Sequence, residues 1–411
     1  MSGARHYAVV TASYWGFTLT DGALRMLVLL HFYQLGYTPF TLAFLFLLYE
    51  TAGIFANLAG GWLASRFGTS RMLASGLALQ IGGLLMLSAL QPGWSAALSV
   101  SWVVAAQGVA GIAKDLTKTT SKSAIKASAA SGAGQLFRWV AWFTGSKNAT
   151  KGAGFFVGGL LLEFAGFRMA LWLMAAMLAV ILLAVLISLP RGFGRGKSSK
   201  SFREFFAKGR GINLLAAARI FMFGSRDVWF VVGLPVFLYL NGWRYMQVAG
   251  FLAAWTIGYG AVQAIAPLLV TRSKDGLTRE VPAARAWGVV LALIPPAILL
   301  TLAAGGLARP DLAVAAELAV FGLVFAIVSS LHSYLVLAYA GSDKAAEDVG
   351  FYYAANAAGR LMGILLSGVL TQIGGLAACL WGSAAMLAVC AVVTFLLPVE
   401  PEAVSVRAVE I

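Results

Sequence analysis

Repeated apolar runs constrain this chain more than any other feature, because about 20 helical residues cross the hydrocarbon core of a bilayer. Twelve such runs can be drawn, over 7–33, 40–64, 71–91, 96–118, 134–162, 168–190, 212–240, 246–271, 284–305, 311–339, 349–373 and 376–398. Composition agrees. Of 411 residues, 60% are hydrophobic and 11% charged, whereas soluble domains carry about 25% charged residues. The expected fold is an all-α polytopic membrane protein with twelve transmembrane helices. The basic segment 191–211 divides it into six-helix halves, 1–190 and 212–398, and 399–411 forms a tail. The first run carries Asp21 and Arg25 and lacks a small-residue cleavage site, so it reads as a retained helix rather than a signal peptide.

The formal charge of +14 would suit a nucleic-acid partner in a soluble protein. Here it follows from loop asymmetry. Nineteen of the 30 Lys and Arg residues fall in segments on the side of the N-terminus, and three (Arg168, Arg244 and Arg309) on the other. The positive-inside rule then places both termini in the cytoplasm. No nucleic-acid partner is expected. The two cysteines, Cys379 and Cys390, supply neither a disulfide framework nor a clustered metal or arsenite site. The segment RGFGRGKS (191–198) ends like a phosphate-binding loop, but Arg191 stands where the first glycine is required and no strand precedes it. No nucleophile–base arrangement emerges. The expectation is a protein that is not an enzyme and holds no metal or cofactor.

The two halves repeat. A shift of 206 residues pairs Asp21 with Asp227, Tyr33 with Tyr239, Gly36 with Gly242 and Arg66 with Arg272. Six spans separate the repeats, so they share one topology. Parallel halves of this kind resemble the major facilitator superfamily, in which substrate binds between the halves near the midplane. Three stretches carry the same resemblance. GGWLASRFGTSR (60–71) is similar to the superfamily's loop 2–3 motif, with Ser65 in place of the usual acid. AAQGVAGIA (105–113) is similar to its fourth-helix motif, with Val104 in place of arginine. GFFVGG (154–159) is similar to the fifth-helix motif of exporters, with Phe155 in place of proline.

Eight cations lie within the spans: Arg25, Lys114, Arg138, Lys147, Lys151, Arg219, Arg226 and Arg360. Only four clear acids accompany them: Asp21, Glu50, Asp115 and Asp227. A charge at a helix centre costs about 2.5–3.5 kcal/mol on insertion scales, so such residues face the bundle interior and usually find partners. The surplus of cations cannot face lipid, but it suits a polar cavity for a multiply charged anion, and it argues against a carrier of cationic drugs. Lys114, Lys118 and Lys122 drift by about 40° per step and share one broad helix face. Asp115 can reach Lys118 at i+3, and Lys122 and Lys126 read as snorkelling residues at the cytoplasmic end. Lys147 and Lys151, at i and i+4 with Asn148 beside them, share a face of the fifth span. The eleventh span, its repeat partner, carries Asn356 and Arg360.

Arg and Lys suit phosphate-like groups through bidentate and point-charge contacts. The substrate-binding candidates are therefore Arg25, Lys114, Lys147, Asn148, Lys151, Arg226, Asn356 and Arg360. Asp21, Glu50, Asp115 and Asp227 are candidates for proton coupling or charge relay. Asp21 and Arg25 are spaced for an i,i+4 ion pair, and Arg226 adjoins Asp227. Arg138 is assigned to structure or a cytoplasmic funnel. His31 and His332 read as packing residues before proton relays. The aromatic residues are expected mainly at lipid and interface.

YWGFTLTDGALRMLVLLHFYQLGY (14–37), GIAKDLTK (111–118), SAIK (123–126) and GSKNATKG (145–152) resemble the ArsJ-type organoarsenical efflux permeases of bacteria. The resemblance covers most of the N-terminal half closely and the rest in general layout. It implies export of 1-arseno-3-phosphoglycerate across the bacterial inner membrane, with arsenate resistance as the result. It also implies a functional partner, a glyceraldehyde-3-phosphate dehydrogenase, which makes the ester when arsenate replaces phosphate. An organophosphate or sugar-phosphate exchanger without arsenic specificity would share the cationic cavity and stands as the alternative.

Overall fold

The structure is a computed structural model that describes residues 2–56, 68–128, 133–190, 209–269, 273, 277–304, 308–339 and 345–399. Among these residues there are helices and turns but no strands. In chain order the helices are α1 (Ser2–Gln34), α2 (Pro39–Ala56), α3 (Thr69–Ser88), α4 (Ala96–Ser128), α5 (Ala133–Phe164) and α6 (Gly166–Ser188). The second set is α7 (Arg210–Leu240), α8 (Tyr245–Leu269), α9 (Glu280–Ala304), α10 (Pro310–Tyr339), α11 (345–373) and α12 (376–395). Turns interrupt α2 at Phe46 and α7 at Val231–Val232. Non-helical backbone at Gly374 and Gly375 bends the chain between α11 and α12. The segment 191–208 of the expected linker, and residues 400–411, lie outside the described residues.

Among the described residues, eight helical stretches are long and apolar enough to cross a membrane, and one of them, Phe351–Phe395, is the bent pair α11–α12. Polar residues also lie within α1 (Asp21 and Arg25), α5 (Lys147 and Lys151) and α8 (Gln247 and Gln263). At 1.5 Å per residue the 33-residue α4 is about 50 Å long, against a core of about 30 Å. The lysine stripe therefore sits on one continuous helix that starts inside the bilayer and leaves it. The side chains of Lys122, Lys126 and Arg138 lie outside the described residues.

The internal repeat is visible in backbone detail. Gly36 and Gly242 adopt φ of +84° and +85°. Around the first, Gly36 N–H donates to Tyr33 C=O and Tyr37 N–H to Phe32 C=O. Around the second, Gly242 N–H donates to Tyr239 C=O and Trp243 N–H to Leu238 C=O. Both are Schellman caps, in which a left-handed residue closes the last helical carbonyls. The 206-residue shift maps one cap onto the other. The tyrosines it pairs, Tyr33 and Tyr239, meet edge to face at 5.4 Å, so they sit where the two halves face each other. The pair Arg66 and Arg272 lies outside the described residues.

Helices approach closely where glycines remove the side chain. A Cβ on Gly158 of α5 would lie 2.4 Å from the Ala23 carbonyl oxygen of α1, and one on Gly359 of α11 would lie 2.3 Å from the Ile220 carbonyl oxygen of α7. These are equivalent helix pairs in the two halves. Between the halves, α5 packs on α8 and α2 on α11. Phe40 N–H donates to Gln372 at 3.3 Å, and Met246 N–H donates to Glu163 at 3.2 Å. These contacts and the tyrosine pair close the end of the bundle that carries the 35–38 and 241–244 turns, here the distal end. The end that carries Ser2 is the terminal end.

One expectation is corrected by the packing. Many aromatics are interior rather than lipid-facing. Trp229, Phe321, Phe325, Phe17, Phe32, Phe46 and Phe155 are fully buried, and Trp229 meets Phe321 at 5.2 Å and Trp255 at 5.8 Å. Edge-to-face stacking of this kind fills the C-terminal half. The lipid-facing surface is instead largely aliphatic on α6, with Val180, Leu183, Leu186 and Ile187 exposed.

Candidate functional site

The intramembrane charges gather into one network. Glu50, on the second part of α2, is 1% exposed. Its Oε1 accepts from Arg25 Nη2 of α1 and Arg360 Nη2 of α11, each at 2.7 Å, and its Oε2 lies 3.6 Å from Lys114 Nζ of α4. Arg360 reaches back into its own half, with Nε 3.2 Å from Asp227 Oδ2. Asp227 also accepts from Arg226 Nε at 2.7 Å. A chain of charges therefore runs from Arg25 through Glu50, Arg360 and Asp227 to Arg226, and crosses from one half to the other at the Glu50–Arg360 bond. Lys114 adds a branch. It lies 3.8 Å from Asp115 and 3.9 Å above the Tyr49 ring, and Asp115 pairs with Lys118 at 3.3 Å.

The expected Asp21–Arg25 ion pair does not form. Arg25 turns to Glu50, and Asp21 instead accepts a hydrogen bond from the Tyr49 hydroxyl. Two neighbours on α2 thus satisfy two residues one turn apart on α1. The expected Asp115–Lys118 and Arg226–Asp227 pairs are present. On α5, Lys151 is half-buried with its ammonium 5.7 Å from the Phe155 ring, and it forms no ion pair with a described carboxylate. Lys147 and Asn148 are also half-buried, and Asn148 donates to Gln263 of α8 at 2.9 Å. Asn356 is half-buried, one turn before Arg360, and its Oδ1 has no hydrogen-bond partner among the described residues.

Among the described residues the cationic surplus thus survives folding. Six cations (Arg25, Lys114, Lys118, Lys151, Arg226 and Arg360) surround Asp21, Glu50, Asp115 and Asp227, and one carboxylate, Glu50, serves three of them. Buried cations that share an acceptor are poorly compensated, and an arriving oxyanion competes with Glu50 and Asp227 for guanidinium forks built for bidentate contact. His31 packs as a ring, stacked on Phe167 at 4.1 Å. Both cysteines are buried on α12, with Cys379 Sγ 3.2 Å from the Thr371 hydroxyl. Among the described residues no cluster of His, Cys, Asp and Glu could hold a metal.

Sequence reading missed three contributors. Tyr49 satisfies Asp21, and the polar side chains Gln263 and Ser329 on α8 and α10 extend the interior network. A glutamine inside an apolar run, such as Gln263, was the available signal.

Comparison with curated protein sequences finds no match. Among solved structures, the nucleoside transporter NupG superposes with a TM-score of 0.71 at 13% identity, covering 96% of this chain and 98% of its own. A D-xylose–proton symporter gives 0.71 at 12% identity, with 96% and 97% covered. A POT family transporter in complex with a thioalcohol-conjugated peptide gives 0.75 at 13%, with 95% of each chain covered. At such identities these likenesses establish a shared fold. The family model of the Major Facilitator Superfamily matches residues 9–359, and the chain belongs to that superfamily.

Proposed function

We propose that this protein exports 1-arseno-3-phosphoglycerate from the bacterial cytoplasm by alternating access. The observation that carries the reading is the surplus of cations where the halves meet, with Glu50 shared by Arg25, Lys114 and Arg360 and Lys151 without a described carboxylate partner. A cargo with a phosphate at one end and an arsenate ester at the other supplies the missing negative charge. The stretches at 14–37, 111–118, 123–126 and 145–152, which resemble arsenical efflux permeases, supply the arsenic. Pentavalent arsenic in an ester needs no thiol, in keeping with a chain whose two cysteines are both buried on α12.

The substrate contacts in this reading are Arg25, Lys114, Lys147, Asn148, Lys151, Arg226, Asn356 and Arg360. Asp21, Glu50, Asp115 and Asp227 take up or release protons during the transport cycle. The Glu50–Arg360 bond spans the halves, so an anion that claims Arg360 loosens the same contact that joins them. A glyceraldehyde-3-phosphate dehydrogenase supplies the cargo, and both termini lie in the cytoplasm.

A second reading, an organophosphate or sugar-phosphate exchanger, is favoured by the chemistry of the site, which recognises oxyanions and contains no group selective for arsenic. Everted membrane vesicles separate the two. They receive arsenate, glyceraldehyde 3-phosphate, NAD and the dehydrogenase, and arsenic accumulation is compared with mixtures lacking one component. Accumulation that requires the full mixture is expected. Accumulation of phosphate or a sugar phosphate without arsenate would establish the exchanger instead.

A further inference from the structure

We propose that Arg219, together with Ser329, Tyr259 and Gln263, forms a second oxyanion subsite beside the central cluster, which holds the far end of a two-ended anion. The inference rests on the anionic cargo proposed above. Arg219 lies on α7, two turns before Arg226 toward the terminal end, and is 4% exposed. Its Nη1 donates to the Ser329 carbonyl at 3.2 Å and to the Ser329 hydroxyl at 3.1 Å. Its Nε has no hydrogen-bond partner, and no carboxylate pairs with it, among the described residues. The rings of Phe223 and Tyr352 lie 4.0 and 4.8 Å from its guanidinium carbon. Aromatic faces attract a cation but do not neutralise it.

Donors crowd onto Ser329. Besides Arg219, the Tyr259 hydroxyl and the Gln263 amide both approach its Oγ at 3.2 Å. The oxygen of this one hydroxyl has only two lone pairs, so Arg219, Tyr259 and Gln263 converge on a single small acceptor. A carboxylate or phosphate oxygen is the acceptor that matches such a convergence. His332, one turn along α10 from Ser329, is fully buried, and neither ring nitrogen is hydrogen-bonded among the described residues. It adds a further donor on the same helix face.

The subsite is joined to the central cluster. Gln263 accepts from Asn148 of α5 at 2.9 Å. The guanidinium carbons of Arg219 and Arg226 lie 4.0 and 4.8 Å from the centroid of the same Phe223 ring, which bounds their separation by the sum of those distances. One small molecule with an anionic group at each end spans that gap.

The test uses the purified full-length protein in detergent and measures binding of two stable probes. 3-Phosphoglycerate carries a phosphate and a carboxylate, and glycerol 3-phosphate a phosphate alone. The wild type is expected to prefer 3-phosphoglycerate by about tenfold, the scale of one charged hydrogen-bonded contact. Arg219→Gln removes that preference and leaves glycerol 3-phosphate affinity unchanged. Ser329→Asp, which gives Arg219 a carboxylate of its own and so spares the fold an unpaired charge, does the same. Lys151→Gln weakens both probes together. If Arg219→Gln and Ser329→Asp leave the ratio unchanged, or weaken both probes equally, the subsite is wrong while the cargo reading stands. If the wild type binds neither probe, the phosphorylated-anion reading falls and takes the subsite with it.

Discussion

At the scale of single residues, Glu50 and Lys151 define the site from opposite sides. Glu50 is the counter-charge for Arg25, Arg360 and Lys114 at once. Removing one partner of a buried ion pair costs about 3–5 kcal/mol, because the other charge is left uncompensated. Glu50→Gln is therefore expected to lower the unfolding temperature of the purified protein markedly, and an unchanged thermal melt would show that the three cations are compensated elsewhere. Lys151 is the converse case, a cation with no described carboxylate to strand. Replacing Lys147 or Lys151 by Gln should leave the amount of protein in the membrane intact and reduce vesicle uptake about tenfold or more, the scale of one charge-assisted contact. Full uptake in both single variants would remove α5 from the site. The charges themselves were legible in the sequence, but their pairing was not. An i,i+4 ion pair contributes only about 0.2–0.5 kcal/mol, so spacing alone could not decide that Arg25 takes a glutamate 25 residues away and leaves Asp21 to Tyr49.

At the scale of elements, the repeat was the most legible feature, because backbone conformation follows local sequence. Gly36 and Gly242 take the same left-handed conformation at the same cap. Neither has a heavy atom within 4 Å of the position a Cβ would occupy, so substitution by alanine meets conformational strain but no clash. Gly36→Ala and Gly242→Ala should each destabilise the protein by about 1 kcal/mol, by nearly equal amounts. Thermal melts of the two single variants check this, and a large difference between them would mean that the caps are not equivalent in load. The helix faces were less legible. A membrane helix is apolar all round, so periodicity does not separate lipid-facing from interior positions. That is why the sequence places the aromatic residues mainly at lipid and interface, whereas Trp229, Phe321 and Phe325 form an interior core, and why Gln263 and Ser329 do not stand out from their apolar neighbours.

At the scale of the whole molecule, the twelve-helix arrangement followed from span lengths and the internal repeat, whereas the contacts between halves could not, since Glu50 and Arg360 lie 310 residues apart. Those contacts carry the consequences for transport. If protons drive export, an uncoupler added at fixed substrate should stop arsenic accumulation in vesicles, and unaffected uptake would leave anion exchange or facilitated exit as the mechanism. Alternating access further requires that the closed distal end open during the cycle. Tyr33 and Tyr239, equivalent residues of the two halves in ring contact at 5.4 Å, report on that end directly. The double variant Tyr33→Cys, Tyr239→Cys adds two thiols to a chain whose own two are buried, so a short thiol-reactive bridging reagent should act selectively at the new pair. Bridging should abolish vesicle uptake, a monofunctional reagent of similar size should not, and each single variant should keep activity after treatment. Uptake that persists in a fully bridged sample would show that the halves do not part at Tyr33 and Tyr239, and that cargo leaves by a route other than the distal interface.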